Sequence, residues 1–262
     1  MSPFLAALWT ETLKARRSKV TPLIAGGFLI LPLVSGLFMV ILKDPEQARA
    51  LGLISMKAQL AGGTADWPTF FGMMNMGAAI GGGILFAIIN TWIFGREYSD
   101  HTAKELLAVP TSRAAIIAAK FVLSALWMLA LTALIFGVGL GIGAAVGIPG
   151  WTPALGWASF GSIMTAALLL VLLSSFVAFF ASMGRGFLPP MGWAFLTMVL
   201  AQIAGALGWG DRFPWTVPGL LSGLAGPGIE LIGLHSYLLV LLVGVSGTAA
   251  TFAWWLRADQ TR

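Results

Sequence analysis

Long apolar runs separated by short polar connections make up most of the chain. A helix needs roughly 20 apolar residues to cross a bilayer, and six runs in this chain are long enough. They are Val20–Leu42, Thr69–Phe94, Ile116–Val146, Trp157–Met183, Phe187–Leu207 and Leu234–Leu256. The pattern therefore predicts an all-α polytopic membrane protein with six transmembrane helices.

Residues 1–19 are expected to form a helix that lies in the membrane interface instead of crossing the bilayer. Apolar side chains recur there at helical spacing, at Phe4, Leu5, Leu8, Trp9 and Leu13. Basic residues follow directly after this apolar face. Amphipathic helices of this kind bind at the boundary between lipid headgroups and acyl chains.

A second apolar segment, residues 210–233, is too rich in proline to form a seventh span. It contains Pro214, Pro218 and Pro227, and proline removes a backbone donor and clashes with the preceding helical turn. We expect short external helices there. They would re-enter the membrane only where protein covers their free backbone groups.

The composition agrees that lipid surrounds most of the chain. Hydrophobic residues make up 58% and charged residues 10%, whereas soluble domains have about 25% charged residues. Residues 1–262 are therefore expected to form a single transmembrane domain. We attribute the net charge of +5 to contacts with membrane lipid and not to a nucleic-acid partner, because the basic residues flank the apolar runs.

The distribution of Lys and Arg predicts the orientation of the chain. One set of flanks contains eleven of them, at Lys14, Arg16, Arg17, Lys19, Arg96, Lys104, Arg113, Lys120, Arg185, Arg257 and Arg262. The opposite set contains four, at Lys43, Arg49, Lys57 and Arg212. Because cytoplasmic flanks are the richer ones, both termini are predicted to be cytoplasmic, with the protein in the cell (plasma) membrane.

The predicted spans contain few strongly polar side chains. Lys120 lies near a cytoplasmic end, where its ammonium is expected to extend toward the headgroups. Asn75, Asn90 and Gln202 have strong hydrogen-bonding groups, which either join helices or line a substrate path. Because buried charges are scarce, ion-coupled transport is not favoured.

The sequence does not indicate a catalytic site. The nucleotide-binding pattern GxxxxGK[ST] and the GxSxG nucleophile pattern are missing, and the chain has no cysteine. The two histidines, His101 and His235, lie on opposite predicted sides of the membrane. The chain is therefore not expected to be an enzyme by itself, or to hold a metal ion or cofactor.

The longest polar stretch, Gly95–Arg113, lies on the predicted cytoplasmic side between the second and third spans. Thr102 and Glu105 have the spacing of a capping box, and Ser112 or Thr111 is placed to cap the helix that follows. Apolar residues and both signs of charge occur close together here. A short, rigid helix with such a surface favours contact with a soluble partner.

This stretch resembles the permease subunits of the type-2 ABC exporters (ABC-2). The matching residues are Glu97, Thr102, Leu106, Leu107, Pro110, Ser112, Arg113 and Lys120. His101 stands where the family usually has glycine. The order of an interfacial helix, six spans and a broken apolar segment before the last span also resembles the family. By size, the chain is most similar to small drug, peptide-antibiotic or lantibiotic-immunity permeases.

The resemblance implies that residues 95–113 form a cytoplasmic coupling helix docked on a separate ATPase subunit. The implied docking residues are Arg96, Glu97, Asp100, His101, Thr102, Glu105, Leu106 and Arg113. Residues 210–233 would supply external gate helices. Two ATPase copies would bind ATP and Mg, and two identical or homologous permease chains would enclose the path, for which Asn75, Asn90 and Gln202 are the candidates.

The predicted function is export of a lipophilic or amphipathic substrate, powered by the ATPase subunit. Two alternatives remain open. One is an ATP-independent secondary transporter or channel for a neutral solute, and the other is a membrane module that anchors or regulates a partner without transporting anything.

Overall fold

The computed structural model describes residues 2–50, 52, 63–100, 102, 111–223 and 232–257. In chain order its helices are α1 (Pro3–Arg17), α2 (Val20–Lys43), α3 (Pro45–Ala50), α4 (Trp67–Ser99), α5 (Arg113–Val146), α6 (Pro153–Leu173), α7 (Ser175–Met183), α8 (Leu188–Ala206), α9 (Val217–Leu221) and α10 (Leu234–Arg257). A 3-10 turn at Pro214–Thr216 precedes α9. The described residues contain no β-strand.

Six segments are long and apolar enough to cross a bilayer, which confirms the predicted number of spans. They are α2, α4, α5, α6 together with α7, α8 and α10. Capping side chains explain why two of them are longer than their apolar runs. The Asp66 carboxylate accepts a hydrogen bond from the Thr69 amide at 2.9 Å, so α4 begins at Trp67. The Ser112 hydroxyl accepts the Ala115 amide at 3.2 Å, so α5 begins at Arg113.

The helix α4 is the centre of the bundle. It contacts α2, α5, α6, α7 and α8, and its side chains at Phe70, Phe86 and Ile89 are at most 1% exposed. By contrast, only Pro190 and Thr197 of α8 are buried. The polar groups that matter for function are therefore positioned mainly by their contacts with α4.

Glycines on α5 let this helix pack closely against side chains of α4, near the residue where α4 begins. A Cβ atom added to Gly143 would lie 2.5 Å from the Trp67 ring, and one added to Gly139 would lie 2.6 Å from the Met74 sulfur. A Cβ added to Gly141 would meet nothing within 4 Å. Since lipid supplies no hydrophobic drive for helix association, such close contacts stabilise the bundle.

The proline-rich segment forms two short helices where described, and no continuous span. Its Thr216 hydroxyl donates to the Ala201 carbonyl of α8 at 3.5 Å, and the Trp215 and Trp193 rings meet edge to face at 5.7 Å. Residues 224–231 lie outside the described residues. The external gate role of this segment stays a prediction.

Replacing Gly143 with Ala is expected to destabilise the bundle. The new methyl group would push against Trp67, whose ring is 5% exposed and cannot move into solvent, and overpacking of this kind costs about 1–3 kcal/mol. The matched control is Gly141→Ala on the same helix. The thermal midpoint of the detergent-purified protein should fall for Gly143→Ala alone. Equal midpoints for the two variants would contradict the contact.

Candidate functional site

Four charged side chains from α1, α4 and α5 meet inside the chain, and we call them the charged cluster: Glu11, Lys14, Glu97 and Lys120. The Lys120 ammonium donates to Glu97 Oε1 at 2.8 Å and to Glu11 Oε2 at 3.1 Å. The Lys14 ammonium donates to Glu11 Oε1 at 2.7 Å and to Glu97 Oε1 at 3.0 Å. The cluster therefore joins the N-terminal helix to the start of the predicted coupling segment.

Small residues bring α1 close enough for the cluster to form. The buried face of α1 consists of Ala7, Glu11 and Ala15, which lie four residues apart and hence on one side of a helix. This face packs against α5, where Ala119 is fully buried. Two alanines flanking the glutamate allow its short side chain to reach a lysine on another helix.

Pairing balances the cost of removing these charges from water. Taking an ion out of water costs several kcal/mol unless partners compensate for it, and Lys120 is 0% exposed. Its third ammonium hydrogen bond goes to the Ile93 carbonyl at 2.7 Å, so all three of its donors have acceptors. Two acidic and two basic side chains leave the cluster with no net formal charge.

The structure corrects two expectations from the sequence. Lys120 does not extend toward the headgroups, because Glu11 and Glu97 pair with its ammonium inside the chain. The helices that cross the membrane also contain more buried charge than expected, since Glu97 is 3% exposed and lies within α4. One of its oxygens, Oε2, is buried without a hydrogen-bond partner among the described residues.

The other end of the predicted coupling segment is also tied to the bundle. Arg113 donates to the Trp255 carbonyl at 3.1 Å, near the C-terminus of α10, where helix carbonyls favour a cation. The Trp255 indole donates to the Ser182 hydroxyl at 2.8 Å, and its ring lies 6.1 Å from that of Tyr98. These contacts connect the first residue of α5 with α4, α7 and α10.

The connection between α7 and α8 lies against the start of the same segment. A Cβ atom added to Gly95 would lie 3.1 Å from the Gly186 carbonyl oxygen. Only glycine leaves this approach free of crowding. The structure thus brings together, at one end of the bundle, α1, both ends of the predicted coupling segment, the turn before α8 and the end of α10.

The predicted docking residues differ in their surroundings. Arg96 and Asp100 pair at 3.1 Å, with side chains 34% and 53% exposed. Glu97 is buried in the charged cluster, and Arg113 is half-buried against α10. The Thr102 amide donates to the Glu97 carbonyl at 2.9 Å. His101, Glu105 and Leu106 lie outside the described residues. As ATPase contacts, all eight stay predictions.

The candidate path residues do not share one environment. Asn90 is 1% exposed; its amide donates to the Ser174 carbonyl at 3.2 Å and accepts from the Ser124 hydroxyl at 2.7 Å, so it joins three helices. Asn75 is half-buried. Gln202 is exposed and lines a cavity between α4 and α8. A path role for these three residues stays a prediction.

His235 forms a separate contact at the opposite end of the bundle. Its Nε2 lies 3.0 Å from the Asp211 carboxylate and 3.3 Å from the Ser236 hydroxyl. Both contacts use the same ring nitrogen. The arrangement therefore lacks the two-sided histidine of a nucleophilic triad, and it closes the ends of the segment that contains α9.

A helical bundle with six apolar spans defines a multi-pass membrane protein. A family model described as "ABC-2 family transporter protein" matches residues 7–201. The chain belongs to this family. It is also 27% identical over 176 residues to the bacitracin transport permease protein BCRB of Bacillus licheniformis. The aligned region covers 67% of this chain and 84% of that relative. No solved structure matches the chain significantly.

Sequence reasoning missed Glu11 and Lys14 as site residues. One signal was present: Glu11 is the only acidic residue among residues 1–19, and it lies midway between two alanines on one helical face. A lone carboxylate in the otherwise basic helix α1 is explained by its ion pair with Lys120.

Replacing Lys120 with Met should destabilise the protein strongly. The change keeps an unbranched side chain but leaves Glu11 and Glu97 with Lys14 alone, and removing one partner of a buried pair costs about 3–5 kcal/mol. Thermal unfolding of the purified protein measures the loss. Adding Glu97→Gln to Lys120→Met should restore part of the stability.

The matched control is Lys14→Met. The Lys14 side chain is 27% exposed, so water can replace part of its interaction and the loss should be smaller. A double variant no more stable than Lys120→Met, or equal losses for the two lysine variants, would show that burial of Lys120 is not what the cluster depends on.

Proposed function

We propose that this chain is the permease subunit of an ATP-driven exporter that moves a lipophilic or amphipathic substrate. A separate ATPase subunit docks on residues 95–113 and supplies the energy. Membership of the ABC-2 transporter family supports a permease with an ATPase partner, and this chain has no GxxxxGK[ST] pattern of its own. That membership gives no support to an ATP-independent carrier.

The observation that carries the proposal is the anchoring of the predicted coupling segment at both ends. Its start is held to α1 by Glu97 and Lys14, and its end is held to α10 by Arg113. A displacement of this segment by the ATPase therefore reaches α1, α4, α5 and α10 together. A loosely connected loop would move without displacing the bundle.

In the proposed cycle, ATP and Mg bind to the partner ATPase, and closure of two ATPase copies pushes the segment at residues 95–113. Two permease chains, identical or homologous, enclose the path in the plasma membrane with their termini in the cytoplasm. The exposed side of α8 carries apolar side chains, including Phe195, Val199 and Ile203. This surface suits lipid or the second permease chain.

An amphipathic substrate fits the side chains of the described spans. The relative's name assigns it the transport of bacitracin. In this chain the described spans present mainly apolar side chains with a few hydroxyl and amide groups, while the buried charges are paired with each other. We therefore infer a substrate with a large apolar portion for this chain.

Reversing the charge of Asp100 should weaken binding of the ATPase subunit. Asp100 is exposed, and its pairing with Arg96 on the surface is worth little for stability, so Asp100→Lys should fold. We expect at least about tenfold weaker association, which corresponds to 1.4 kcal/mol. Quantitative co-purification with the ATPase subunit, and ATP turnover of the complex, measure the effect.

The control is Glu46→Lys on α3, which makes the same charge change on a side chain 86% exposed at the opposite end of the bundle. Glu97→Lys is unsuitable, because it would place a third cation in the charged cluster. If Asp100→Lys and Glu46→Lys bind the ATPase equally well, the docking assignment is wrong.

A further inference from the structure

A cavity of about 390 Å³ lies between α4, the break between α6 and α7, α8 and the short helices at residues 214–221. The cavity is partly open, since Gln202, Gly205 and Ala206 in its lining are exposed. Its volume falls within the range of small-molecule sites, about 300–1,000 Å³. A partly open apolar space of this size beside membrane spans can admit a molecule.

Small side chains create the space. The α4 wall includes Ala79 and Gly83, and the α8 wall includes Ala194, Ala201 and Gly205. The described residues that line the cavity include no Asp, Glu, Lys, Arg or His. A charged ligand group would therefore be buried without a counter-charge, which is strongly unfavourable in the bilayer. Any part of a ligand that enters must be uncharged.

Neutral polar groups nevertheless occur in the wall. The Thr197 hydroxyl donates to the Trp193 and Ala194 carbonyls at 3.0 Å each, which leaves its oxygen free to accept a hydrogen bond. The Gln202 amide offers two donors and an acceptor and makes no hydrogen bond with the described residues. The wall can therefore bind one neutral polar group beside an apolar chain.

One wall is a separate short segment and not part of a span. Trp215 and Thr216 lie on it, and its two ends are joined by the contact of Asp211 with His235 at 3.0 Å and by the Ser236 hydroxyl, which donates to the Asp211 carbonyl at 2.7 Å. One side of the cavity is therefore formed by a segment that is tied to α10 and does not itself cross the membrane.

We propose that this cavity binds the apolar chain of an uncharged amphipath, with the neutral hydroxyl or amide group of that ligand hydrogen-bonded to Gln202 and Thr197. The proposal rests on the proposed function only in assigning the bound molecule to the transported class. Binding itself needs neither ATP nor the ATPase. The site indicates which part of the substrate the permease recognises, namely a neutral polar group on a hydrocarbon chain.

The test uses the purified permease in phosphatidylcholine nanodiscs with a photoactivatable probe. The probe is hexadecanol carrying a diazirine and an alkyne, and the comparison probe is the equivalent hexadecyl sulfate, which stays charged in the membrane. We expect saturable labelling of α4 and α8 peptides by the alcohol, blocked by excess hexadecanol, and at least about tenfold less by the sulfate, a difference of 1.4 kcal/mol.

Ala201→Phe fills the cavity and should abolish the saturable labelling. Val245→Phe on α10 is the matched control, because it places the same ring at a side chain that is 59% exposed and does not line the cavity; it should label like the natural protein. Gln202→Leu should remove the preference for the alcohol over an alkane probe. Unchanged labelling in Ala201→Phe, or labelling of the natural protein that excess hexadecanol does not block, overturns the proposal.

The outcomes also separate this proposal from the proposed function. If the ATPase co-purifies and turns over ATP while the natural permease shows no saturable labelling, the cavity proposal fails and the proposed function stands. If the cavity is labelled as expected and the ATPase does not bind, the exporter assignment fails and the ligand site stands.

Discussion

The ammonium of Lys120 has no access to water, and every bond it makes is to another part of the same chain. A charge in that position is stable only while Glu11 and Glu97 remain within hydrogen-bond distance. The constraint therefore fixes α1 against α4 and α5 more specifically than apolar contact can. A hydrophobic surface tolerates sliding, whereas three directed hydrogen bonds do not.

The helices α4 and α5 are joined by different physical means at the two ends of the bundle. At the end with the charged cluster, hydrogen bonds and ion pairs join five helices. At the opposite end, Gly143 and Gly139 let α5 approach the rings and sulfur of α4, and the contact is steric. Because lipid does not drive helices together, each end needs such a device, and the polar one lies where the ATPase is proposed to push.

The spans were predictable and the charged cluster was not, for physical reasons. A backbone in lipid must satisfy its own hydrogen bonds, so a long apolar run has few options besides a helix. The helices α4 and α5 begin before their apolar runs because Asp66 and Ser112 cap them. Pairing of Glu11 with Lys120 joins residues 109 positions apart, and no local pattern specifies it.

The cavity was equally invisible in the sequence, since its walls come from four segments whose small residues look like ordinary helix packing. Only Gln202 was singled out beforehand, for its amide group. Its neighbours Ala201 and Gly205 line the cavity because of how α4 and α8 are spaced, which the sequence does not show. Small residues form a cavity only where several segments leave the same space empty.

One helix passes through all of these features. α4 spans 33 residues, about 50 Å at a rise of 1.5 Å per residue, and carries Asp100 just beyond its end, Glu97 in the charged cluster, Asn90 in the joint with α5 and α6, and Gly83 in the cavity wall. Glu97 is one helical turn from Asp100. A force on the exposed Asp100 carboxylate would therefore act close to Glu97, which the charged cluster holds in place. A helix of this length would transmit displacement between the proposed docking end and the cavity.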